Sequence, residues 1–301
     1  MRGVRGRGRA TAGAVALALL AAACTSEPAE PPSGTEVSGV AIAPPGRIVT
    51  VEVGELEFSV RCAGTPNPPQ PPVVLVSALG VGLQQSWDAV QGRIADFARV
   101  CAYDRLGVGQ SSRGPRTQTF EDMASQLDGL VTELGLDRPI VLVAHSLGGY
   151  VAASFAQRRP DDVAGLLLLD APGPGYPQSV LDLLPRNASK RGAEERDLWE
   201  SLLEPKDNAE NLDGREAFAA TASLSPLGDV PLVALSHTIT THPDSTGPRQ
   251  QANLESAWEE GQQRWLALSS RARLERVDLA GHDIQNDQPE AVVQAVLDLV
   301  D

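Results

Sequence analysis

The sequence predicts an α/β domain built on a mostly parallel, doubly wound sheet of eight strands. Three observations point there. From Ile48 onward, short apolar runs alternate with stretches of helical spacing, the pattern of strands joined by crossover helices. Runs such as Ile140 to Val143 and Leu166 to Leu169 carry no polar residue, as expected of strands covered on both faces. The alternation breaks once, from Pro172 to Asp229, in a segment rich in Pro, Asp and Glu. That segment reads as a cap inserted between core strands. At 301 residues and 42% hydrophobic, the chain is long enough to bury one large core.

The front end is of a different kind. Met1 to Arg9 is basic, and an apolar run from Ala14 to Ala23 follows and ends at Cys24. The run is too short to span a bilayer and reads as the core of a signal peptide over residues 1–23. Leu20-Ala-Ala-Ala-Cys24 resembles a bacterial lipobox, whose Cys becomes the acylated N-terminus of a lipoprotein. Ala21 is a weaker fit there than Leu, so plain secretion is the alternative. Residues 24–46, rich in Pro, Ser, Glu and Gly, read as a disordered tether. The folded domain is then 47–301. The leader holds four Arg and no acid, so its removal takes the formal net charge from −14 to −18. Such an acidic protein has no electrostatic route to nucleic acid. Anionic headgroups also repel it, which leaves a lipid on Cys24 as its only expected tie to a membrane.

Each element follows in order. Ile48 to Val53 and Leu56 to Cys62, separated by Gly54, read as antiparallel strands. Thr65 to Pro72 is a Pro-rich loop. Val73 to Ala78 is a buried strand, and Leu79-Gly-Val-Gly82 is a turn. Trp87 to Ala98 reads as a helix. Arg99 to Tyr103 is a strand that runs into Asp104 to Ser111. Phe120 to Leu134 has helical spacing through Met123, Leu127, Leu130, Val131 and Leu134. Ile140 to Val143 is a strand and Tyr150 to Arg159 a helix. Val163 to Leu169 is a strand with Asp170 at its carboxyl end. Inside the cap, short helical patches surround Leu181 and Leu198. Val230 to Leu235, then Leu274 to Leu279, complete the strands. Asn253 to Ser269 and Gln288 to Val300 are the last helices.

The chemistry centres on Ala144-His145-Ser146-Leu147-Gly148, between a strand and a helix. A strand, a sharp turn with Ser at its tip and a helix behind it make a nucleophile elbow. Bulk two positions either side of Ser146 would clash, so Ala144, Gly148 and Gly149 are small. The helix N-terminus aims free N–H groups at the reacting oxygen. A serine hydroxyl needs a base. His145 is its neighbour, but adjacent strand residues point to opposite faces, so His145 is expected to pack or hydrogen-bond locally.

Several pieces together resemble the α/β-hydrolase superfamily, and its secreted or lipid-anchored bacterial esterase/lipase-like members most of all. They are Ser77-Ala-Leu-Gly80, Tyr103-Asp-Arg-Leu-Gly-Val-Gly-Gln-Ser111, the elbow, and Ala280-Gly-His-Asp-Ile-Gln-Asn-Asp-Gln-Pro-Glu290. The resemblance spans nearly all of the chain from Ile48. It implies the α/β-hydrolase fold, Ser146 as nucleophile and His282 as base. The acid follows the strand after the elbow's, at Asp170, or the next strand, where Asp244 is the first carboxylate; Asp170 is preferred. A carboxylate ending a buried strand is costly unless paired, and an imidazole is a suitable partner. The oxyanion hole falls to the backbone N–H groups of Leu79 and Leu147. Asp104 and Arg105 brace their loop. The family's strand order sets the strands of Cys62 and Cys101 side by side, which implies a disulfide; two buried free thiols are the alternative. His237 and His242 lack the spacing of a H-E-x-x-H zinc motif, so no metal is expected, and no cofactor is implied. The expected substrate is a small-molecule ester or related acyl compound. Rival readings are a cofactor-free perhydrolase or haloperoxidase-like activity with the same triad, and a non-catalytic binding protein on a hydrolase scaffold.

Overall fold

The computed structural model describes residues 46–65, 70–114, 117–184, 190–203, 209–240 and 247–301. The predicted signal peptide, Cys24, nearly all of the tether, His242 and Asp244 lie outside the described residues. Among the described residues no helix is long and apolar enough to cross a membrane.

The order of elements is β1 (Ile48–Val53), β2 (Leu56–Ala63), β3 (Val73–Val76), α1 (Leu83–Trp87), α2 (Gln91–Ile94), β4 (Val100–Tyr103), α3 (Phe120–Glu133), β5 (Ile140–His145), α4 (Gly148–Arg158), β6 (Val163–Leu169), α5 (Tyr176–Leu183), α6 (Lys190–Leu203), α7 (Gly214–Thr221), β7 (Leu232–His237), α8 (Pro248–Leu266), β8 (Ala272–Val277), α9 (Ile284–Asp287) and α10 (Pro289–Val300). The eight strands form one sheet in the order β1-β2-β4-β3-β5-β6-β7-β8. β1 and β2 pair antiparallel, as do β2 and β4. Every other pairing is parallel.

Fully buried strands explain the continuous apolar runs: every residue of β3, β4, β5 and β7 is buried. One face packs on α3 and α4 through Phe120, Leu127, Tyr150 and Phe155, the other on α1, α2 and α10 through Trp87, Ile94 and Val296. A smaller cluster joins α5 to α8 through Tyr176, Val180, Leu254 and Trp258. Cys62 on β2 and Cys101 on β4 are register partners and are joined by a disulfide.

Two expectations needed revision. The helix expected from Trp87 to Ala98 is two short helices, α1 and α2. The break falls at Val90 (φ −120°). The final two strands sit differently from their apolar runs: β7 ends at His237, two residues beyond Leu235, and β8 starts at Ala272 and ends at Val277. The cause is pairing, because Ser236 and His237 stay in register with Arg276 and Val277 of β8 although both are polar. Strand length is set by the neighbour's backbone as well as by the side chains.

Candidate active site

β5 delivers the central residue. It ends at His145, and Ser146 takes the left-handed conformation at φ 52°, uncommon for a residue with a side chain. The strain is held from both sides. The Ser146 N–H donates to the Leu169 carbonyl at 2.9 Å, and α4 begins two residues later. Gly148 lies so close to the end of β3 that a Cβ there would sit 2.5 Å from the Ser77 oxygen and 2.6 Å from that of Val76. This is the physical reason for a small residue after the serine.

The ends of β6 and β8 supply the partners. Ser146 Oγ is 3.0 Å from His282 Nε2, and His282 Nδ1 is 2.7 Å from Asp170 Oδ2. Asp170 follows β6 at φ 44° and is wholly buried. Burial alone pushes its carboxyl up. Hydrogen bonds from His237 and His282, reinforced by their charge, outweigh burial and hold it below the usual carboxylate range. The three residues expected to meet therefore do meet.

Two N–H groups complete the picture. Among the described residues, those of Leu79 and Leu147 donate to no group of the chain. Both belong to the segments that Gly148 presses together. A backbone N–H without a partner is the kind of donor that an oxyanion requires.

His145 is buried and bonds locally, as expected. Its Nε2 lies 2.9 Å from the His282 carbonyl oxygen and its ring 4.8 Å from the His282 ring. Burial, then the charge of His282, pull its pKa down to about 4. It props up the loop that carries the other imidazole. Asp104 accepts the Leu83 N–H at 2.6 Å.

Sequence reasoning missed two residues. Glu210, between α6 and α7, forms a buried ion pair with Arg105 at 2.7 Å. Arg105 also donates to the carbonyls of Ser77 (2.6 Å) and Ala78 (2.8 Å), and Glu210 Oε1 accepts the Gly80 N–H at 2.5 Å. The pair thus grips the turn that presents Leu79. Burial pulls the Arg105 guanidinium down, but Glu210 more than offsets it. The second missed residue is His237, which bonds Asp170 Oδ1 through Nδ1 at 2.8 Å and through its backbone N–H at 3.1 Å. Nothing local in the acid-rich cap marks Glu210. His237 could have been found by extending its strand two residues.

Among the described residues no group of three or more His, Cys, Asp or Glu could hold a metal ion. The model of the alpha/beta hydrolase family matches residues 73–295. The chain belongs to that family. Another protein similar to this alpha/beta hydrolase is the uncharacterized protein YqjL of Bacillus subtilis. It is 24% identical over 229 residues, 75% of this chain and 83% of that protein. A malate-bound thermophilic esterase from Thermogutta terrifontis shares the fold with a TM-score of 0.56 at 24% identity, over 84% of this chain and 97% of that one. A serine hydrolase involved in carbazole degradation does so with a TM-score of 0.55 at 18% identity, over 84% and 98%.

Proposed function

We propose that this chain is a serine hydrolase that cleaves an ester or related acyl bond of a small molecule through an acyl-enzyme. The observation that carries the reading is the continuous hydrogen-bonded line from Ser146 through His282 to Asp170, at 3.0 and 2.7 Å. His282 Nε2 takes the proton as Oγ attacks the acyl carbon. Its Nδ1–H donates to Asp170, which stabilises the imidazolium. The N–H groups of Leu79 and Leu147 receive the negative oxygen of the tetrahedral intermediate. His282 returns the proton to the leaving alcohol, and water then repeats the sequence on the acyl-enzyme. The likeness to a thermophilic esterase supports an ester as the first substrate class to try.

A fluorophosphonate probe tests the reading. The folded protein becomes labelled, and Ser146→Ala does not. No labelling of folded wild-type protein sinks it and favours a binding role. A chain-length series of p-nitrophenyl esters then sizes the acyl group.

We propose also that the protein is exported and carries lipid on Cys24. The Cys62–Cys101 disulfide supports an oxidising compartment. Mass spectrometry of the mature N-terminus tests this: a diacylated Cys24 supports the anchor, and an unmodified N-terminus means plain secretion.

A further inference from the structure

Asp170 accepts from two histidines, one on each carboxylate oxygen. His282 takes Oδ2, and His237 takes Oδ1 through ring and backbone together. The triad reading uses only the first.

The geometry around His237 is specific. Its Nδ1 faces a carboxylate, so that nitrogen carries a proton. Its Nε2 is buried with no hydrogen-bond partner among the described residues, and it faces a second carboxylate, Glu255 Oε2 on α8, at 3.7 Å. A neutral ring would aim a lone pair at Glu255. A doubly protonated ring puts an N–H toward each carboxylate. Trp258 on α8 packs its ring 5.2 Å from the imidazole, and its Nε1–H is tied to Ser236 at 3.0 Å. The two rings are tilted at 44° to one another.

We propose that His237 is the positioning residue of the acid: as a cation clamped between Asp170 and Glu255 it fixes the carboxylate and extends the reactivity of Ser146 toward lower pH. This rests on the triad reading and deepens it. Asp170 sits at a left-handed backbone position at a strand end, and a carboxylate held by one oxygen could rotate away from His282. Two donors on Oδ1 stop that rotation. The charge matters separately. A cation already on Asp170 makes a second one, on His282, less favourable. Loss of the His237 charge therefore moves the acid end of Ser146 reactivity up in pH.

Other charges nearby do not cancel this. From the loop after β8, His282 binds the other oxygen of Asp170. His145, on β5, packs on His282, with Asp283 3.8 Å from its Nε2. Arg276 on β8 and Glu259 on α8 bind each other at 2.7 Å. Burial pulls the His237 imidazole down, but Asp170 and Glu255 outweigh it and lift it to about 9.

Two measurements test the inference. The first needs no activity. Nitrogen-15 NMR of the wild-type imidazoles at pH 7.5 is expected to show His237 with both ring nitrogens protonated. A neutral His237 ring overturns the proposal. The second follows fluorophosphonate labelling against pH. His237→Asn keeps a donor for Oδ1 without the charge, and its acid limb moves up by about one pH unit. His237→Ala removes the donor as well, and its plateau also falls by about 10²-fold. An unshifted acid limb in His237→Asn overturns the proposal. If folded wild type is never labelled, the triad reading fails, and the NMR result decides the state of His237 by itself.

Discussion

Ser146 is braced from two sides by buried charge clusters of different chemistry. Toward β3, Arg105 and Glu210 hold the turn that presents Leu79. Toward β6 and β7, His237 holds Asp170. Both pairs are almost fully buried, at 4% and 1% exposure for the first and 2% and 0% for the second. An arginine keeps its charge at every working pH, whereas a histidine can lose it. One cluster therefore fixes shape alone, and the other ties shape to pH.

The largest effects should come from the line both clusters serve. Ser146→Ala is expected to abolish fluorophosphonate labelling, and Asp170→Asn to slow it about 10⁴-fold by leaving His282 in the wrong tautomer. A mild Asp170→Asn phenotype would break the comparison, since the acid side would then be dispensable.

Next comes the clamp. Glu210→Gln leaves Arg105 buried without its counter-charge, which should cost about 3–5 kcal/mol in urea unfolding. Loosening of the Leu79 turn should slow labelling about 10²–10³-fold. The shape of the pH profile should stay as in wild type. A shifted acid limb in Glu210→Gln would erase the distinction between the two sides.

A smaller effect is in stability against pH. His237 has a folded value near 9, above the roughly 6.5 of an unfolded chain. Its contribution is fully present below about pH 6.5 and is lost as pH rises through 9, for a total of about 1–3 kcal/mol. Asp170, whose carboxyl is lowered on folding, works in the opposite direction. Its contribution is present above about pH 4 and is lost as pH falls. Urea midpoints from pH 6 to 10 should decline in wild type and flatten in His237→Asn.

The smallest effect is a control on burial itself. Arg93 and Glu290 also pair at 3.0 Å, but Glu290 is 74% exposed. Glu290→Gln should change stability by less than about 1 kcal/mol. A cost like that of Glu210→Gln would mean that burial is not what separates the pairs.

Much of this protein was legible in one dimension. Alternating runs predict the parallel sheet because a strand covered on both faces has no room for polar residues. The elbow is legible because its requirements are local: a strand, a sharp turn and small neighbours within a few residues. His282 is legible from its Gly-bearing loop after the last strand and from the family resemblance, and Asp170 from its place at the end of a buried run. Tertiary structure alone decided the rest. Glu210 reaches Arg105 across more than a hundred residues of chain, and no spacing rule connects a cap residue to the turn it grips. His237 belongs to the site because pairing with β8 extends β7 past its apolar run. Periodicity reports which face of an element is buried, but the meeting of two charges from distant strands depends on the order in which those strands lie side by side.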